Sequence, residues 1–310
     1  MAILRPELLA SGIVRCLPSG RQGNLPQLRM NGLAQDFWSG AAVVTGAGSG
    51  LGASMVQRFA SVGMAIVALD IDGGRAQETA DAVISGGGRA IALGVDVADR
   101  SALEGAAKGA KDAFGSCNVL CANVGVQQFG ALDKLSEAEW RWVLDVNVMG
   151  VVNTVAAFLS LMRDTGGERR ICLTASSSVL LPGERIGAYV ASKFAVMGYG
   201  ETLRLELGRE GIGVSMLLPA GMESRHLESS QLAKPTDIPG AVMSQEDIDF
   251  MLSSRNLDTA FHVATTEHAT RNLLEDLAAD RPYIVTHGDY RSELIERNEA
   301  LLAAFDRAQD

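Results

Sequence analysis

The sequence has little cysteine, histidine or aromatic character, and little positive charge. Its four cysteines (Cys16, Cys117, Cys121, Cys172) contain no CxxC pair, and its four histidines (His226, His262, His268, His287) form no HExxH or Cys/His arrangement, so no metal site is expected. Cys117, Cys121 and Cys172 fall in apolar, strand-like stretches where a thiol packs as a small hydrophobe, which suits a reducing, cytoplasmic setting. Aromatics at 5% against 34 glycines fit tight turns packed with Ala, Val and Leu rather than aromatic platforms. The 27 Lys and Arg against 37 Asp and Glu leave a net charge of −10, without the clustered excess that phosphate neutralisation needs; no nucleic-acid partner is expected. The longest uncharged apolar run, 146–162, is interrupted by Asn147 and Asn153 and falls short of the roughly 20 residues of a spanning helix. It reads as a buried helix, with no membrane association.

Residues 1–37 stand apart. The first 29 carry Arg5, Arg15, Arg21 and Arg29 against the single acid Glu7, with no sustained hydrophobic period. They read as an extension that packs weakly, an organelle-targeting role being the alternative, and Met30 would serve as another start; no secretory signal is evident.

From Ala41 onward short apolar segments alternate with longer ones of helical period. The first kind, 41–45, 65–70, 90–95, 118–122, 170–175, 213–218 and 283–286, are rich in Val, Ile, Leu and Ala, as strands buried on both faces must be. The second kind, 51–61, 75–85, 101–114, 137–162 and 189–209, have apolar residues three to four apart. The alternation predicts an α/β fold, a doubly wound parallel sheet of about seven strands flanked by helices. One catalytic domain over 38–290 is expected, followed by a helical tail within 291–310. Residues 221–267 carry methionines and phenylalanines among polar residues with no clear strand, and read as a substrate lid.

The glycine run Thr45-Gly46-Ala47-Gly48-Ser49-Gly50-Leu51-Gly52 follows the first strand and opens a helix, where free N–H groups and the helix dipole favour a pyrophosphate. Asp70 ends the second strand about twenty residues on, where a carboxylate accepts hydrogen bonds from both ribose hydroxyls. A 2′-phosphate there would meet like charge with no basic residue in the glycine loop, so NAD is expected over NADP. The competing reading makes Asp70 a helix cap or turn residue and gives a phosphate to Arg75. Asp96-Val97 and Asn123-Val124-Gly125 follow the third and fourth strands, facing a ligand crevice or forming turns. Tyr189 and Lys193 lie one helical turn apart, where an ammonium draws the phenol pKa down and makes it a usable acid or base. Ser176, thirteen positions before Tyr189, ends a strand and offers a hydroxyl to the same substrate oxygen.

Taken together, TGxxxGxG at 45–52, Asp96, Asn123-Val124-Gly125, Ser176 and Tyr189-x-x-x-Lys193 resemble the short-chain dehydrogenase/reductase family, over about 41–290. The resemblance implies Tyr189 as acid/base, Lys193 lowering its pKa and holding the nicotinamide ribose, and Ser176 holding the substrate oxygen. It implies a water-linked proton relay supported by Asn147, otherwise read as a helix-packing polar residue, and a nicotinamide flanked by Pro219-Ala220-Gly221. Implied cofactor contacts are Gly46, Ser49, Gly50, Leu51, Gly52, Asp70, Ile71, Asp96, Val97, Asn123, Val124, Gly125, Tyr189, Lys193, Pro219, Gly221 and Met222. Val124 replaces the family's Ala, Pro-Ala-Gly its Pro-Gly, and Ser224 its common Thr. The expected reaction is NAD-linked interconversion of a secondary alcohol and a ketone, on a mid-sized, largely apolar substrate lined by Gln127, Gln128, Phe129, Leu180, Leu181, Glu184, Met222 and Glu223. An NADPH-dependent ketone reductase and a non-catalytic nucleotide sensor are the alternatives. The family packs its long helices between subunits, implying a homodimer or homotetramer.

Overall fold

Successive side chains of a strand point to opposite faces, so a strand covered on both sides must be apolar throughout. In the computed structural model, which describes residues 38–238, 245–253 and 263–308, the first strand, β1 (Ala41–Thr45), is buried at every position. Val43 joins a cluster with Leu103, Phe158 and Leu161 on one face, while Ala42 and Val44 join Met55, Phe59 and Ile66 on the other. The same two-sided burial repeats in β2 (Ala65–Asp70), β4 (Val119–Ala122), β5 (Arg169–Thr174) and β6 (Ile212–Leu218). With β3 (Ala90–Gly94) and β7 (Tyr283–Val285) they form a seven-stranded sheet in the order β3-β2-β1-β4-β5-β6-β7. Every neighbouring pair is parallel, with Val43 opposite Val67 and Leu120. The expected strands are all present, with ends shifted by at most one residue. The leader 1–37 and the parts of the expected lid at 239–244 and 254–262 lie outside the described residues.

The order reverses between β1 and β4, so the crossovers leave opposite faces there and open a crevice at the strand carboxyl ends. Helices α1 (Gly50–Ser61), α2 (Gly73–Ser85) and α3 (Arg100–Phe114) follow the first three strands. Asp72 caps α2 by accepting from the N–H groups of Gly74 and Arg75, and Asp99 caps α3 by accepting from Ser101 and Ala102. Ser49 makes no side-chain cap on α1, and its first turn holds no acid, leaving those N–H groups and the positive end of the dipole for an anion.

The single helix expected over 137–162 is interrupted. It comprises α4 (Glu137–Leu144), a wider π turn over Asp145–Met149, and α5 (Gly150–Asp164). The π turn adds one residue to the spacing, and its Asp145 and Asn147 break the apolar pattern, so a three-to-four periodicity cannot register it. By length and composition this helix could cross a membrane, but Val151, Val155, Phe158, Leu161 and Met162 are buried in the protein core. Helix α6 (Gly187–Leu207) precedes β6, and the segment after β6 forms α7 (His226–Ala233), α8 (Gln245–Ser253), α9 (Thr266–Ala269) and α10 (Leu273–Ala278). A parallel bridge of Met222 with Ala264 moors this segment at its two ends. Helix α11 (Arg291–Arg307), the expected tail, buries none of its residues.

Candidate active site

A cleft of about 1060 Å³ opens along the carboxyl ends of the strands. Every cofactor and catalytic residue expected from the sequence lines it, Asn147 excepted.

At one end the glycines shape the floor. Gly46 and Gly50 hold left-handed backbone (φ +65° and +54°), conformations that disfavour a side chain. A Cβ on Gly52 would collide with the Gly46 carbonyl oxygen and stand 2.9 Å from Asn123 Nδ2, so α1 starts directly against the loop. Asp70 Oδ2 accepts from Gly48 N–H at 2.9 Å and Oδ1 from Asp72 N–H at 3.0 Å. The cap of α2 is therefore Asp72, and Arg75 pairs with Asp72 at 3.1 Å. Asp96 Oδ1 accepts from Ala98 N–H at 2.9 Å, so the turn role is filled by one oxygen of its carboxylate. Asn123 stitches three strand ends together: its N–H donates to Thr45 Oγ1 at 2.9 Å, its Nδ2 to Thr45 O at 3.2 Å, and its Oδ1 accepts from Thr174 Oγ1 at 3.0 Å. These features fit a dinucleotide: uncapped helix N–H groups for its pyrophosphate, loop glycines without Cβ for close approach, and a carboxylate for its ribose.

At the other end, Ser176, Tyr189 and Lys193 converge. Ser176 Oγ accepts from Ser178 N–H at 3.1 Å and lies beside the Tyr189 phenol. Lys193 is buried, its Nζ donating to Thr174 O at 2.9 Å and lying 5.5 Å from the Tyr189 ring centroid. Burial pushes the phenol pKa up, outweighing the downward pull of the Ser176 hydrogen bond. This reverses the expected direction, because Lys193 stands over the ring and is itself desolvated, its own pKa lowered to about 8.

Asn147 lies behind this wall, fully buried. Its Oδ1 accepts from Val126 N–H at 2.7 Å, and its Nδ2 donates to Val126 O and Ser192 Oγ, each at 2.9 Å. Ser192 Oγ in turn donates to Tyr189 O at 2.6 Å. The amide thus ties the loop after β4 to the first turn of α6 and presents no group to the cleft.

These features have counterparts in known proteins. Residues 40–234 match the model of the short chain dehydrogenase family. The chain is a short-chain dehydrogenase. It is 29% identical over 272 residues to the C alpha-dehydrogenase of Sphingobium sp. strain SYK-6, covering 86% of this chain and 87% of that one. It is 34% identical over 178 residues to the (2S)-[(R)-hydroxy(phenyl)methyl]succinyl-CoA dehydrogenase subunit BbsD of Thauera aromatica, covering 57% and 71%. Among solved structures, a short chain dehydrogenase/reductase from Burkholderia phymatum in complex with NAD superposes with a TM-score of 0.74 at 31% identity, covering 81% and 90%.

The substrate end of this short-chain dehydrogenase differs from the sequence expectation. Gln127 and Met222 line the cleft, but Gln128, Phe129, Leu180, Leu181, Glu184 and Glu223 do not. Gln128 is buried instead, its Oε1 accepting from Lys234 Nζ at 3.2 Å, and Leu180 packs against the core. The wall comes from Val126, Trp142, Ile186, His226, Leu227, Leu232 and Ile238. Helix α7 is held there by Ser230, whose Oγ donates to His226 O at 2.7 Å and accepts from Gln127 N–H at 3.0 Å. Lys234 pairs with the buried Glu139 at 3.2 Å. Burial raises the Glu139 carboxyl, but hydrogen bonds from Ser136 and the Lys234 charge bring it below the usual carboxylate range. Arg185, between Ser176 and Tyr189, binds Asp247 at 3.1 Å and lies 4.2 Å from the Phe250 ring centroid, pinning α8 to the catalytic loop. The sequence marked none of His226, Arg185 and Lys234, since each is a lone polar residue whose partners come from distant segments.

Proposed function

We propose that this enzyme interconverts a secondary alcohol and its ketone, with NAD as cofactor, on a mid-sized and largely apolar substrate. The observation that carries this reading is the convergence of Ser176, Tyr189 and Lys193 in the same cleft as the glycine floor. Tyr189 is the acid/base: in oxidation its phenolate oxygen takes the proton of the substrate hydroxyl, and in reduction its phenol returns it. Ser176, whose hydroxyl lies beside that phenol, orients the substrate oxygen. Lys193 supplies positive charge beneath the ring and a donor for the cofactor ribose. Asn147 is a positioning residue, holding the Val126 backbone and, through Ser192, the turn that carries Tyr189. Bound NAD supplies the hydride acceptor for the carbinol carbon. The cofactor contacts are those named from the sequence, from Gly46 to Met222, and the lid expected over 221–267 contributes Leu227, Leu232 and Ile238 to the substrate end.

Asp70 favours NAD. Its carboxylate stands at the end of β2 in the cleft, where a 2′-phosphate would be repelled. KM for NADP is expected to exceed that for NAD at least about tenfold, and Asp70→Ala to narrow the gap. Initial rates with both cofactors and a panel of secondary alcohols test the cofactor and the reaction together, and a clear NADP preference would refute the role of Asp70. One observation favours the NADPH-dependent ketone reductase: Arg75 lines the cleft beside Asp70, and Arg225 lines it within reach of Asp72. Both are engaged by acids, Arg75 by Asp72 and Arg225 by Glu228.

We also propose a homodimer or homotetramer. Leu144 and Met149 on the long helix, and Phe194 and Leu205 on α6, are exposed; Leu205 is 76% accessible. Multi-angle light scattering is expected to give two or four times 32.7 kDa, and a stable monomer would count against it. A reducing, cytoplasmic compartment without a membrane or nucleic-acid partner suits the acidic charge and the free, buried Cys117, Cys121 and Cys172.

A further inference from the structure

Helix α7 brings an imidazole into the cleft next to the reacting phenol. The His226 and Tyr189 ring centroids are 6.1 Å apart, tilted by 60°. The His226 Nε2 is shut off from solvent and has no hydrogen-bond partner among the described residues. A buried nitrogen of this kind is destabilising unless something completes it, and at the wall of a cleft a bound ligand is one such partner. The same helix is fixed to the loop after β4 through Ser230 and Gln127, so the imidazole is held in place and does not merely hang from a surface loop.

The surroundings restrict what completes it. No group of three or more His, Cys, Asp or Glu side chains suited to a metal occurs among the described residues. Burial and the nearby Lys193 charge lower the imidazole pKa to about 4, so the ring is neutral at physiological pH and offers one donor and one acceptor. A neutral ring gives no ion pair to offset the burial of a carboxylate against it, whereas an uncharged oxygen carries no such cost. The substrate oxygen that reacts is already matched by Ser176 and Tyr189. Beside them Val126, Trp142, Ile186, Leu227 and Ile238 form an apolar wall for the rest of the molecule.

We propose that His226 is a specificity-determining residue that hydrogen-bonds a second, uncharged oxygen on the carbon next to the reacting carbinol. The preferred substrate class is therefore an aromatic or alicyclic secondary alcohol bearing a neighbouring hydroxyl, ether or carbonyl oxygen. This rests on the alcohol-oxidising reading of the cleft given above.

Two probes share the same carbinol and differ in the second oxygen: 1-phenylethanol and 1-phenylethane-1,2-diol. With NAD, the wild-type enzyme is expected to favour the diol by about 10- to 100-fold in kcat/KM, because a site built to bond an oxygen leaves its own group unpaired when that oxygen is missing. His226→Phe is expected to erase that ratio, and His226→Gln, which keeps a donor and an acceptor, to restore part of it. An equal loss on both probes would assign His226 a structural role and overturn the proposal; so would a wild-type enzyme without preference. A weaker affinity of His226→Phe for NAD by calorimetry would move the imidazole to the cofactor, which also overturns it. A readout independent of turnover is the ¹⁵N spectrum of histidine-labelled full-length protein, in which the His226 signals are those lost in His226→Phe. The diol is expected to shift the Nε2 signal where 1-phenylethanol does not, and equal or absent shifts would refute the contact. Absence of turnover with both probes, alongside a diol-specific shift, would instead defeat the alcohol-oxidising reading while leaving the contact standing.

Discussion

Tyr189→Phe is expected to lower kcat about 10²- to 10⁴-fold in both directions while leaving NAD affinity within a few-fold of wild type. The substitution removes one oxygen and keeps the ring, so the packing against His226 and the Lys193 stem survives. The change in contact falls on the neighbouring Ser176 hydroxyl. Stopped-flow or steady-state turnover, with calorimetry for the cofactor, separates the two effects; substantial residual turnover would remove Tyr189 from the chemistry. The pH dependence has a defined sign. Oxidation needs the phenolate, and burial raises the phenol pKa, so the oxidative rate climbs with pH across the neutral range. Lys193 loses its charge around pH 8, and with it the electrostatic support for the phenolate, so the climb flattens above that point. In Tyr189→Phe the dependence on the phenol disappears.

Gly52→Ala is the second large effect. The added methyl would meet the Gly46 carbonyl oxygen, stand 2.7 Å from the Gly46 carbonyl carbon, and crowd Asn123 Nδ2. Two of these neighbours are backbone and cannot swing aside, and Asn123 is committed to Thr45 and Thr174. The start of α1 must move instead, which costs about 1–3 kcal/mol of stability and displaces the N–H groups proposed for the pyrophosphate. An affinity for NAD reduced by at least about 100-fold is expected by calorimetry, with a lower unfolding midpoint. Gly105→Ala is the control: Gly105 lies inside α3 with nothing within 4 Å of the new methyl, and stability should rise by about 0.5–1 kcal/mol with affinity unchanged. Equal behaviour of the two variants would mean that close packing of the glycine loop is not what holds the cofactor.

The sheet was legible because covering a strand on both faces demands an unbroken apolar run, and Ala65–Leu69 or Ile171–Leu173 are such runs. The cofactor end was legible because its constraints are local: a glycine where a Cβ has no room, a carboxylate at a strand end. The π turn at Asp145–Met149 was not, since the residue it buries is the polar Asn147, which no hydrophobic period marks. Nor was the substrate wall. Helix α7 buries only Ser230, so no hydrophobic stripe announces it, and its place depends on a bond to Gln127 about a hundred positions away. Gln128 shows the limit in the other direction: one residue further along the same loop, it turns under the cleft toward Lys234.

Arg185 joins α8 to the loop between Ser176 and Tyr189. It is a non-glycine residue in left-handed backbone (φ +61°), and its carbonyl accepts from Gly130 N–H at 2.9 Å while its guanidinium holds Asp247 and Phe250 of α8. Such a conformation costs roughly 1–2 kcal/mol and persists only where neighbours enforce it. The residue that ties α8 down therefore sits, at that cost, in the very loop that spans Ser176 and Tyr189. The placement of α8 and the alignment of the two hydroxyls thus share one side chain as their mechanical link.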